Sequence, residues 1–457
     1  MHSGLAIACA ALGIACAGLG CESRPPARTS LIVVTVDTLR ADHLGCYGYF
    51  RDTSPNLDRF AADAVLFESV FAPMATTLPT HVSLLTGLFP LEHQVVANLS
   101  VTGKPFAWKP GMRTIAQLAK ERGFTTAAFV SAAPLKRHSG LAEGFDVYDQ
   151  PLQSERPAAR TLEAATRWLE RTPERPLLLW VHLYDPHRPL TPPPEHAVFD
   201  TDAGLERLLA ERGVRGDTLV DGTLYRTRED VNLYDGEIRY VDDRLGALFE
   251  ALREAGLYED AVIAVTADHG EGLNQHDWPV HGGTHVEQLH VPLLMRFPDA
   301  RLNGIGRFQG LVSTVDVLPT ALPRVDAELA RRFAEQATGT DVLAEGFRPR
   351  ALLSRRTGRP GRDGAGPLYA LTTPEWRLLH ELHQVDQLFD RTRDPFELRD
   401  EAAARPEVTE ALRRETAALI GAQTARAAEL GTADPATAAP LDRELLRQLE
   451  ALGYTTK

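Results

Sequence analysis

The chain has 457 residues, of which 44% are apolar and 24% are charged, values typical of a globular protein with room for a large α/β domain and a smaller second unit. Its formal net charge of −13 argues against nucleic-acid binding, and no stretch clusters enough Lys and Arg to follow a phosphate backbone. An anionic substrate would therefore have to be held locally, by a metal ion or by a few basic residues. The oligomeric state is left open.

An apolar run rich in Gly and Ala covers residues 4–20, and Cys21 and a polar, Pro-rich stretch follow it. This pattern predicts that residues 1–29 form an export leader and its linker. Small residues before Cys21 also resemble a bacterial lipoprotein processing site, which would make that cysteine a lipid anchor to the membrane. We therefore expect an exported protein, either periplasmic or held at the membrane as a lipoprotein. Cys46 is the one cysteine after this leader, so the body of the protein has no internal disulfide.

From about residue 30 to residue 345, short apolar segments alternate with segments that carry apolar residues at helical spacing. The predicted strands are Leu31–Val36, Thr125–Val130, Leu177–His182 and Ala261–Thr266. The predicted helices are Thr114–Arg122, Ala159–Arg171, Val231–Ala255 and Thr314–Leu322. This alternation predicts an α/β catalytic domain over residues 30–345, with a mainly parallel sheet covered by helices on both faces.

Residues 346–420 are expected to form a small α+β subdomain. Residues 346–366 are rich in Arg, Gly and Pro and lack periodicity, so we interpret them as the crossing between the two units. Residues 421–457 are predicted to be a flexible tail that ends in a short helix at Leu441–Leu452. The elements predicted within the subdomain are short antiparallel strands at Leu368–Thr372, Trp376–His380 and Gln387–Phe389 and a helix near Glu407–Ile420.

Acidic residues stand where two of the predicted strands end. Asp37 follows the first strand, and Asp268 and His269 come just after the strand at 261–266. The carboxyl ends of parallel strands meet at one edge of an open α/β sheet, which is where such folds place their chemistry. Between these strands in the sequence, Thr77 begins the segment Thr-Leu-Pro-Thr-His-Val-Ser. We predict that the two aspartates and the histidine hold a divalent cation against the Thr77 hydroxyl.

A third predicted strand is followed by Tyr-Asp-Pro-His, which contains Asp185 and His187. Together with His281, these residues are candidates for a second metal site that faces the leaving-group oxygen, as two-metal phosphoryl transfer requires. The alternative is that His187 and His281 contact the substrate anion directly. Three further histidines crowd the segment around His281, and one of them is an alternative ligand, although surface or supporting positions are the commoner case: His276, His285 and His290.

Four motifs resemble, in order, the first metal-ligand strand, the nucleophile loop, the last metal strand and the C-terminal sheet of the sulfatase family, within the alkaline phosphatase superfamily: Val36–Asp42, Pro79–Gly87, Asp268–Glu271 and Asp394–Leu398. The resemblance covers most of residues 30–457. It implies an alkaline-phosphatase-like fold, in which a mainly parallel sheet is sandwiched by helices and a small C-terminal antiparallel sheet plus helix follows. It also implies that Arg40 lies near the site and orients Thr77 or a ligand carboxylate.

The chain departs from this family at the nucleophile. Sulfatases carry a Cys or Ser that is oxidised to formylglycine, whereas this chain has Thr77, whose extra methyl group cannot give that aldehyde. Thr77 would have to attack directly as an alkoxide activated by a metal ion. Thr38 stands where sulfatases commonly have an Asp ligand, and His81 where they usually have an Arg. The loop is similar instead to nucleotide pyrophosphatase/phosphodiesterases, in which an Asn at the position of Asn98 contacts a non-bridging oxygen.

The prediction is therefore a metal-dependent hydrolase of anionic esters that uses one or two divalent ions, Zn²⁺, Ca²⁺ or Mn²⁺. Sulfate esters and phosphate or phosphonate esters both fit, and phosphodiesters are favoured because the formylglycine precursor is missing. Two alternatives stay open: a transferase that passes the Thr77-bound group to an alcohol, and a binding protein that keeps the fold without activity. An enzyme is favoured because five residues occur together: Asp37, Asp268, His269, Asn98 and His187.

Overall fold

The computed structural model describes residues 28–100, 104–153, 155–171, 173–220, 222–356, 368–381 and 384–434. The leader through residue 27, which includes Cys21, and the helix predicted at 441–452 lie outside these described residues. None of the helices in the described part of the chain has both the length and the apolar composition that a membrane span needs.

The strands follow the chain in this order: β1 (Ser30–Val36), β2 (Val65–Phe71), β3 (Thr125–Phe129), β4 (Val147–Asp149), β5 (Leu177–Leu183), β6 (Thr218–Val220), β7 (Thr223–Tyr225), β8 (Ala261–Ala267), β9 (Leu293–Arg296), β10 (Arg307–Ser313), β11 (Leu352–Arg356), β12 (Leu368–Thr372), β13 (Trp376–Glu381) and β14 (Gln387–Asp390). The α-helices are α1 (Pro55–Ala62), α2 (Thr77–Thr86), α3 (Pro90–His93), α4 (Ile115–Glu121), α5 (Ala158–Leu169), α6 (Ala203–Glu211), α7 (Thr227–Glu254), α8 (Val286–Leu289), α9 (Ala300–Asn303), α10 (Val317–Ala321), α11 (Ala327–Ala334) and α12 (Pro406–Glu429).

The large sheet has eight strands in the order β10-β2-β9-β8-β1-β5-β3-β4. Its neighbours run parallel except β9, which is antiparallel to both β2 and β8. β1 lies at the centre, and every one of its residues is buried, as expected for a parallel strand covered on both faces. Because β5 and β8 flank β1, the three strands whose ends carry polar residues lie side by side.

Helices flank this sheet in two packed groups. The first consists of α1, α5 and α7, and the second contains α2, α4, α10 and α11. α5 shows why these segments are helical, because its buried residues recur every three or four positions and form one apolar face. The arrangement confirms the predicted fold class, a mainly parallel α/β sheet between helices.

The small C-terminal sheet is antiparallel, with the order β11-β12-β13-β14. The sequence predicted β12, β13 and β14 but missed β11, which lies in the segment interpreted as an aperiodic crossing. Its residues become a strand because they pair with β12 along their whole length. A second difference concerns the helix predicted at Thr314–Leu322, which is split into a 3₁₀ turn, the short α10 and another 3₁₀ turn. Pro319 and Pro323 remove backbone donors there.

The last described helix is longer than predicted. α12 continues through residues 421–429, which the sequence indicated as part of a flexible tail. The end of this helix is held by the main domain, since the buried Lys109 ammonium donates to the carbonyls of Ala427 and Gly431 at 2.9 and 2.8 Å. The backbone N–H of Gly111 also donates to the Leu430 carbonyl. These long-range contacts order a segment whose composition alone suggests flexibility.

Candidate active site

The carboxyl edge of the sheet gathers the predicted metal ligands. Asp37 directly follows β1, and its backbone N–H donates to the carbonyl of Leu183 at the end of β5. Asp268 and His269 directly follow β8, the other neighbour of β1. All three side chains are buried, and so is Thr77, which is the first residue of α2.

Several polar atoms at this edge are buried without a hydrogen bond to any other described residue. They are both carboxylate oxygens of Asp37, Oδ2 of Asp268, Nε2 of His269 and Oγ1 of Thr77. Buried polar groups are nearly always hydrogen-bonded, because an unpaired one costs free energy. A group of such atoms in one place therefore indicates a site that a ligand completes.

The geometry of these atoms fits a divalent cation. One ligand atom from each of Asp37, Asp268 and His269 lies within 4.8 Å of the other two. Nε2 of His269 is 3.4 Å from Asp268 Oδ2 and 3.8 Å from Asp37 Oδ1. The other ring nitrogen, Nδ1, donates to the Gly270 carbonyl at 3.0 Å, which leaves the lone pair on Nε2 as a metal ligand requires. Two carboxylates and an imidazole are donors that Zn²⁺ and Mn²⁺ accept.

The electrostatics of the two carboxylates also call for a positive charge. Burial raises the pKa of Asp37 well above its ordinary range, and repulsion from Asp268 adds to the effect. Burial acts in the same direction on Asp268, but the imidazoles of His269, His81 and His182 outweigh it and keep the pKa of that carboxyl low. A bound cation would allow both groups to ionise together.

His182 belongs to the site, although the sequence analysis assigned it no role. It pairs with Thr35 of β1 and lies 3.5 Å from Asp37, measured from Nε2 to Oδ2. Its Nδ1 accepts the backbone N–H of Ser131, so the neutral ring carries its proton on Nε2. Burial lowers the pKa of His182 to about 4, which keeps the ring neutral. Nε2 of His182 therefore faces the Asp37 carboxylate but forms no hydrogen bond with any described residue. In the sequence, a histidine inside the apolar run of β5 was the feature that could have indicated a polar role for this residue.

His81 lies between the Thr77 backbone and the candidate metal ligand Asp268. Its Nδ1 donates to the backbone carbonyl of Thr77 at 2.7 Å and lies 3.8 Å from Asp268 Oδ2. Its Nε2 accepts from the Thr35 hydroxyl at 3.1 Å. Burial and the neighbouring His182 lower the pKa of His81 to about 3, so this ring is also neutral. The ring of His81 therefore contacts the Thr77 backbone and lies close to Asp268.

Thr77 and Asn98 meet at the N-terminus of α2. The Asn98 amide oxygen accepts the backbone N–H of Leu78 at 2.9 Å, so its amino group is turned the other way and can donate. The free N–H groups and the dipole at a helix N-terminus favour negative charge. Pro79 supports this start, since proline is suited to the first helical turn. The sequence predicted that Thr77 and Asn98 act on the same substrate group, and the structure places Asn98 against the residue that follows Thr77.

Thr38 occupies the position of the missing aspartate ligand. Its φ of 54° is left-handed, which is strained for a β-branched residue. Its backbone N–H donates to Asp268 Oδ1 at 3.2 Å, and its carbonyl accepts from the Tyr234 hydroxyl at 2.6 Å. These contacts explain how the strained turn after Asp37 is maintained.

His187 and His281 lie beside the metal-ligand group. The ring centroid of His281 is 4.6 Å from that of His269 and 4.9 Å from that of His187. The Nδ1 atom of His187 donates to the Arg188 carbonyl at 2.6 Å, and that of His281 lies 3.5 Å from the Glu271 carboxylate. Burial lowers the pKa of His187 to about 3, with His281 as a further cause. His281 thus lies between His269 and His187, and the roles predicted for His187 and His281 stay predictions.

Asp185 takes a different position from the one predicted. Its carboxylate accepts the backbone N–H of Ala158 at 2.8 Å, at the first residue of α5. No close group of ligand atoms in the described ranges unites it with His187 and His281. Burial raises the pKa of Asp185 to about 6. The carboxylate caps a helix, and the geometry does not support the second metal site built on it.

Arg40 is buried but holds neither Thr77 nor a ligand carboxylate. Its guanidinium donates to both carboxylate oxygens of Asp42, to the Glu271 carbonyl at 3.1 Å and to Gln275 Oε1 at 3.1 Å. The interaction with Asp42 outweighs burial and raises the pKa of Arg40. Arg40 therefore ties the loop after β8 to the loop after β1, and the role predicted for it is corrected accordingly.

The remaining histidines of this segment point elsewhere. Nε2 of His290 donates to the Glu68 carbonyl at 2.9 Å. His276 and His285 form a separate group of close ligand atoms with Glu397 of the C-terminal subdomain. None of these three replaces His281 beside His269.

The comparison with protein families settles the assignment that the motifs suggested. A family model described as Sulfatase matches residues 29–327. The chain belongs to the sulfatase family. The matched range contains six of the candidate site residues discussed above: Asp37, Thr77, His187, Asp268, His269 and His281.

Known relatives are distant in sequence. Human iduronate 2-sulfatase is 26% identical over 353 residues, which cover 61% of this chain and 62% of the relative. The chain therefore spans less than two thirds of that protein. The N-acetylglucosamine-6-O-sulfatase of Bacteroides thetaiotaomicron is 23% identical over 464 residues, covering 81% of this chain and 82% of the relative. The crystal structure of a phosphonate monoester hydrolase of Agrobacterium radiobacter shares the fold, with a TM-score of 0.69 and 21% identity over 87% of this chain and 96% of that one.

Proposed function

We propose that this protein is a metal-dependent hydrolase of anionic esters that attacks with the unmodified side chain of Thr77. The observation that carries the proposal is the Thr77 hydroxyl, which is buried at a helix N-terminus without a hydrogen bond among the described residues. His81 of the same helix lies 3.8 Å from Asp268 Oδ2, which is also unpaired and converges with Asp37 and His269. A protein that had kept only the fold would be expected to lose these costly unpaired groups. Their presence supports an enzyme over a binding protein.

The side chains have distinct tasks in this proposal. A divalent cation held by Asp37, Asp268 and His269 would supply the Lewis acidity that favours the alkoxide of a neighbouring hydroxyl. The Thr77 oxygen then attacks the phosphorus or sulfur atom and forms a new ester bond, while the bond to the leaving alcohol breaks and that alcohol takes up a proton. Water cleaves the Thr77 ester and regenerates the hydroxyl.

The neighbours of Thr77 bind the transferred group. The Asn98 amino group is oriented to donate to a non-bridging oxygen, and the N-terminus of α2 adds a favourable field for the charge that develops there. His281, which neighbours His269, and His187, which neighbours His281, are assigned to the substrate anion and its leaving oxygen. This choice follows from the position of Asp185, whose carboxylate accepts the Ala158 N–H, so that no group of close ligand atoms in the described ranges joins it to the two histidines.

Phosphodiesters and phosphonate monoesters are the proposed substrates. A formylglycine enzyme expels sulfate by collapse of a hemiacetal, and Thr77 offers no such route from a sulfate ester. The phosphoryl ester of Thr77 can instead be cleaved by water. A phosphonate monoester hydrolase shares the fold, which supports the inclusion of phosphonate esters among the proposed substrates.

The proposal is tested by comparing kcat/KM for p-nitrophenyl esters of sulfate, phosphate, a phosphodiester and a phosphonate, with Mn²⁺, Zn²⁺ or Ca²⁺ added to metal-free protein. We expect the diester and the phosphonate to be cleaved faster than the sulfate. A clear preference for sulfate with sustained turnover would reverse the substrate assignment. If the metal-loaded protein cleaves none of these esters, the hydrolase assignment fails.

We also propose that the protein is exported, and that it is either periplasmic or anchored to the membrane as a lipoprotein. The support is the apolar leader over residues 4–20 followed by Cys21 and a polar linker. A hydrolase of anionic esters at that location would meet substrates from outside the cell.

A further inference from the structure

The loop that carries His281 has an unusually strained backbone. It runs from Gly272, shortly after β8, to α8. Four of its non-glycine residues have a positive φ, between 48° and 65°: Leu273, Asn274, His276 and Asp277. Such conformations cost free energy and persist only where the surroundings fix them. The position of His281 beside His269 therefore depends on what holds this loop.

Glu397 of the C-terminal subdomain holds the far side of the loop. Its Oε2 accepts from His285 Nδ1 at 2.9 Å and from the backbone N–H of Val286 at 3.2 Å. Its backbone carbonyl accepts from His276 Nε2 at 3.1 Å. One residue thus contacts three residues of the loop, on both sides of His281 in the sequence.

Arg377 fixes Glu397 in turn. Its guanidinium pairs with Glu397 Oε1 and donates to the Thr284 carbonyl of the loop at 2.5 Å. Its Nε donates to the Thr372 hydroxyl at 3.0 Å, inside the C-terminal sheet. The side chains of Arg377 and Glu397 are 1% and 3% exposed, so this pair is shielded from water. The loop is therefore attached to a buried part of the neighbouring subdomain.

The other side of the loop is attached to the active-site edge. Arg40 donates to Gln275 Oε1 at 3.1 Å and to the Glu271 carbonyl at 3.1 Å. Within the loop, the Trp278 indole donates to the His281 carbonyl at 3.2 Å. His281 is thus carried by a segment held between Arg40 on one side and Glu397 on the other.

The cluster of Glu397, His276 and His285 does not have the properties of a metal site. The two imidazole rings are stacked, with centroids 3.8 Å apart and an angle of 9° between their planes. A metal lies in the plane of the ring that binds it, and two stacked rings cannot both meet that condition for one ion. Both ring nitrogens of His276 and both carboxylate oxygens of Glu397 already have hydrogen-bond partners. The cluster is a structural connection.

We propose that Glu397 is a positioning residue for the reaction, which acts by holding the 272–286 loop so that His281 stays beside His269. The proposal rests on the hydrolase function proposed above, because it gives His281 a task at the substrate. It assigns to the C-terminal subdomain a direct part in building the active site. Glu397 itself touches no substrate.

Asp386 provides a matched control for Glu397. It is another carboxylate of the C-terminal subdomain with a side chain 3% exposed, and it pairs with Arg413 and His380. It has no hydrogen bond or ion pair with the 272–286 loop among the interactions of the described residues. Removing it should destabilise the subdomain without moving His281.

The test compares Glu397→Ala, Asp386→Ala, His281→Ala and the double variant Glu397→Ala/His281→Ala. Each is assayed for kcat/KM on the best ester of the p-nitrophenyl panel, and amide hydrogen exchange is followed over residues 272–286. We expect Glu397→Ala to lower kcat/KM by about 10- to 100-fold and to speed exchange in the loop. Asp386→Ala should leave both near the wild-type values. Glu397→Gln, which keeps the side-chain volume, replaces the Ala variant if that one does not fold.

The double variant separates positioning from general destabilisation. If Glu397 acts through His281, the double variant should be no slower than His281→Ala alone. Additive losses, a rate for Glu397→Ala equal to that of Asp386→Ala, or unchanged loop exchange would overturn the proposal. If wild-type protein cleaves no ester, the proposed function has failed, and the exchange comparison between Glu397→Ala and Asp386→Ala still decides whether Glu397 holds the loop.

Discussion

Two clusters of histidines and carboxylates in this protein have similar composition and opposite character. In the cluster formed by Asp37, Asp268 and His269, the atoms that converge lack hydrogen-bond partners among the described residues. In the cluster of Glu397, His276 and His285, the same kinds of atoms are hydrogen-bonded to each other and to the backbone. The distance between ligand atoms is within 4.8 Å in both. Whether the atoms already have partners, and not their spacing, distinguishes a ligand site from a structural connection.

The difference has an energetic meaning. A buried carboxylate without a partner destabilises the metal-free protein. A buried carboxylate that is fully paired becomes destabilising only when its partner is removed, because an uncompensated buried charge then remains. We therefore expect a ligand to stabilise the first cluster, whereas the second cluster already stabilises the folded protein by itself. Substitutions in the two clusters should have different effects on activity, stability and metal binding.

The largest expected effect is on activity at the unpartnered hydroxyl. Thr77→Ala should lower kcat/KM by about 1,000-fold or more, equivalent to about 4 kcal/mol of transition-state stabilisation, because it removes the attacking atom. Thr86 of the same helix is the control: it is buried too, but its hydroxyl already donates to the Val82 carbonyl at 2.6 Å. Thr86→Ala should stay near the wild-type rate. Activity of Thr77→Ala within tenfold of the parent would reject the assignment.

A smaller effect is expected on the pH dependence of stability at the paired cluster. Burial would raise the pKa of Glu397, but Arg377 and His285 outweigh it and lower that pKa from 4.5 to about 2. A depressed carboxyl pKa stabilises the folded state above the unfolded value, and this contribution is lost as the pH falls from about 4.5 to about 2. Glu397→Gln lacks the contribution throughout.

The unfolding temperatures of wild type and Glu397→Gln should therefore differ most above pH 4.5 and converge as the pH falls below it. The measurement is thermal unfolding of metal-free protein over that range. A difference that is constant with pH would show that the carboxylate is not held ionised by Arg377.

Periodicity and strand-end residues were sufficient to predict the fold class, four of the eight strands of the large sheet, and the convergence of the candidate ligands Asp37, Asp268 and His269. The apolar runs before Asp37 and Asp268 define β1 and β8, and parallel strands bring their ends together. The role of His182 depends on its register opposite Thr35, which is a long-range pairing that no local pattern encodes. Asp185 illustrates the same limit, since its motif gave no sign that the backbone of α5 would take its carboxylate.

The contacts between the C-terminal subdomain and the 272–286 loop also could not be predicted from the sequence. Arg377 was predicted only as part of a strand and Glu397 only as part of a family-like motif. Their contacts with the 272–286 loop depend on how the C-terminal sheet packs against the main domain. β11 was missed because its strand character comes from pairing with β12. Local propensity indicates which segments become elements, whereas contacts between distant segments decide what their polar residues do.

The most direct test of the distinction between the two clusters is metal titration of metal-free protein, followed by thermal unfolding, for wild type, Asp37→Asn and Glu397→Gln. Binding to the folded state alone stabilises it by about 2.7 kcal/mol at a free metal concentration 100 times Kd. We predict this stabilisation by Mn²⁺ or Zn²⁺ for wild type and Glu397→Gln and its loss in Asp37→Asn, whose metal-free form should be more stable than metal-free wild type. The account is contradicted if Asp37→Asn is stabilised like wild type, or if Glu397→Gln is the variant that loses the response.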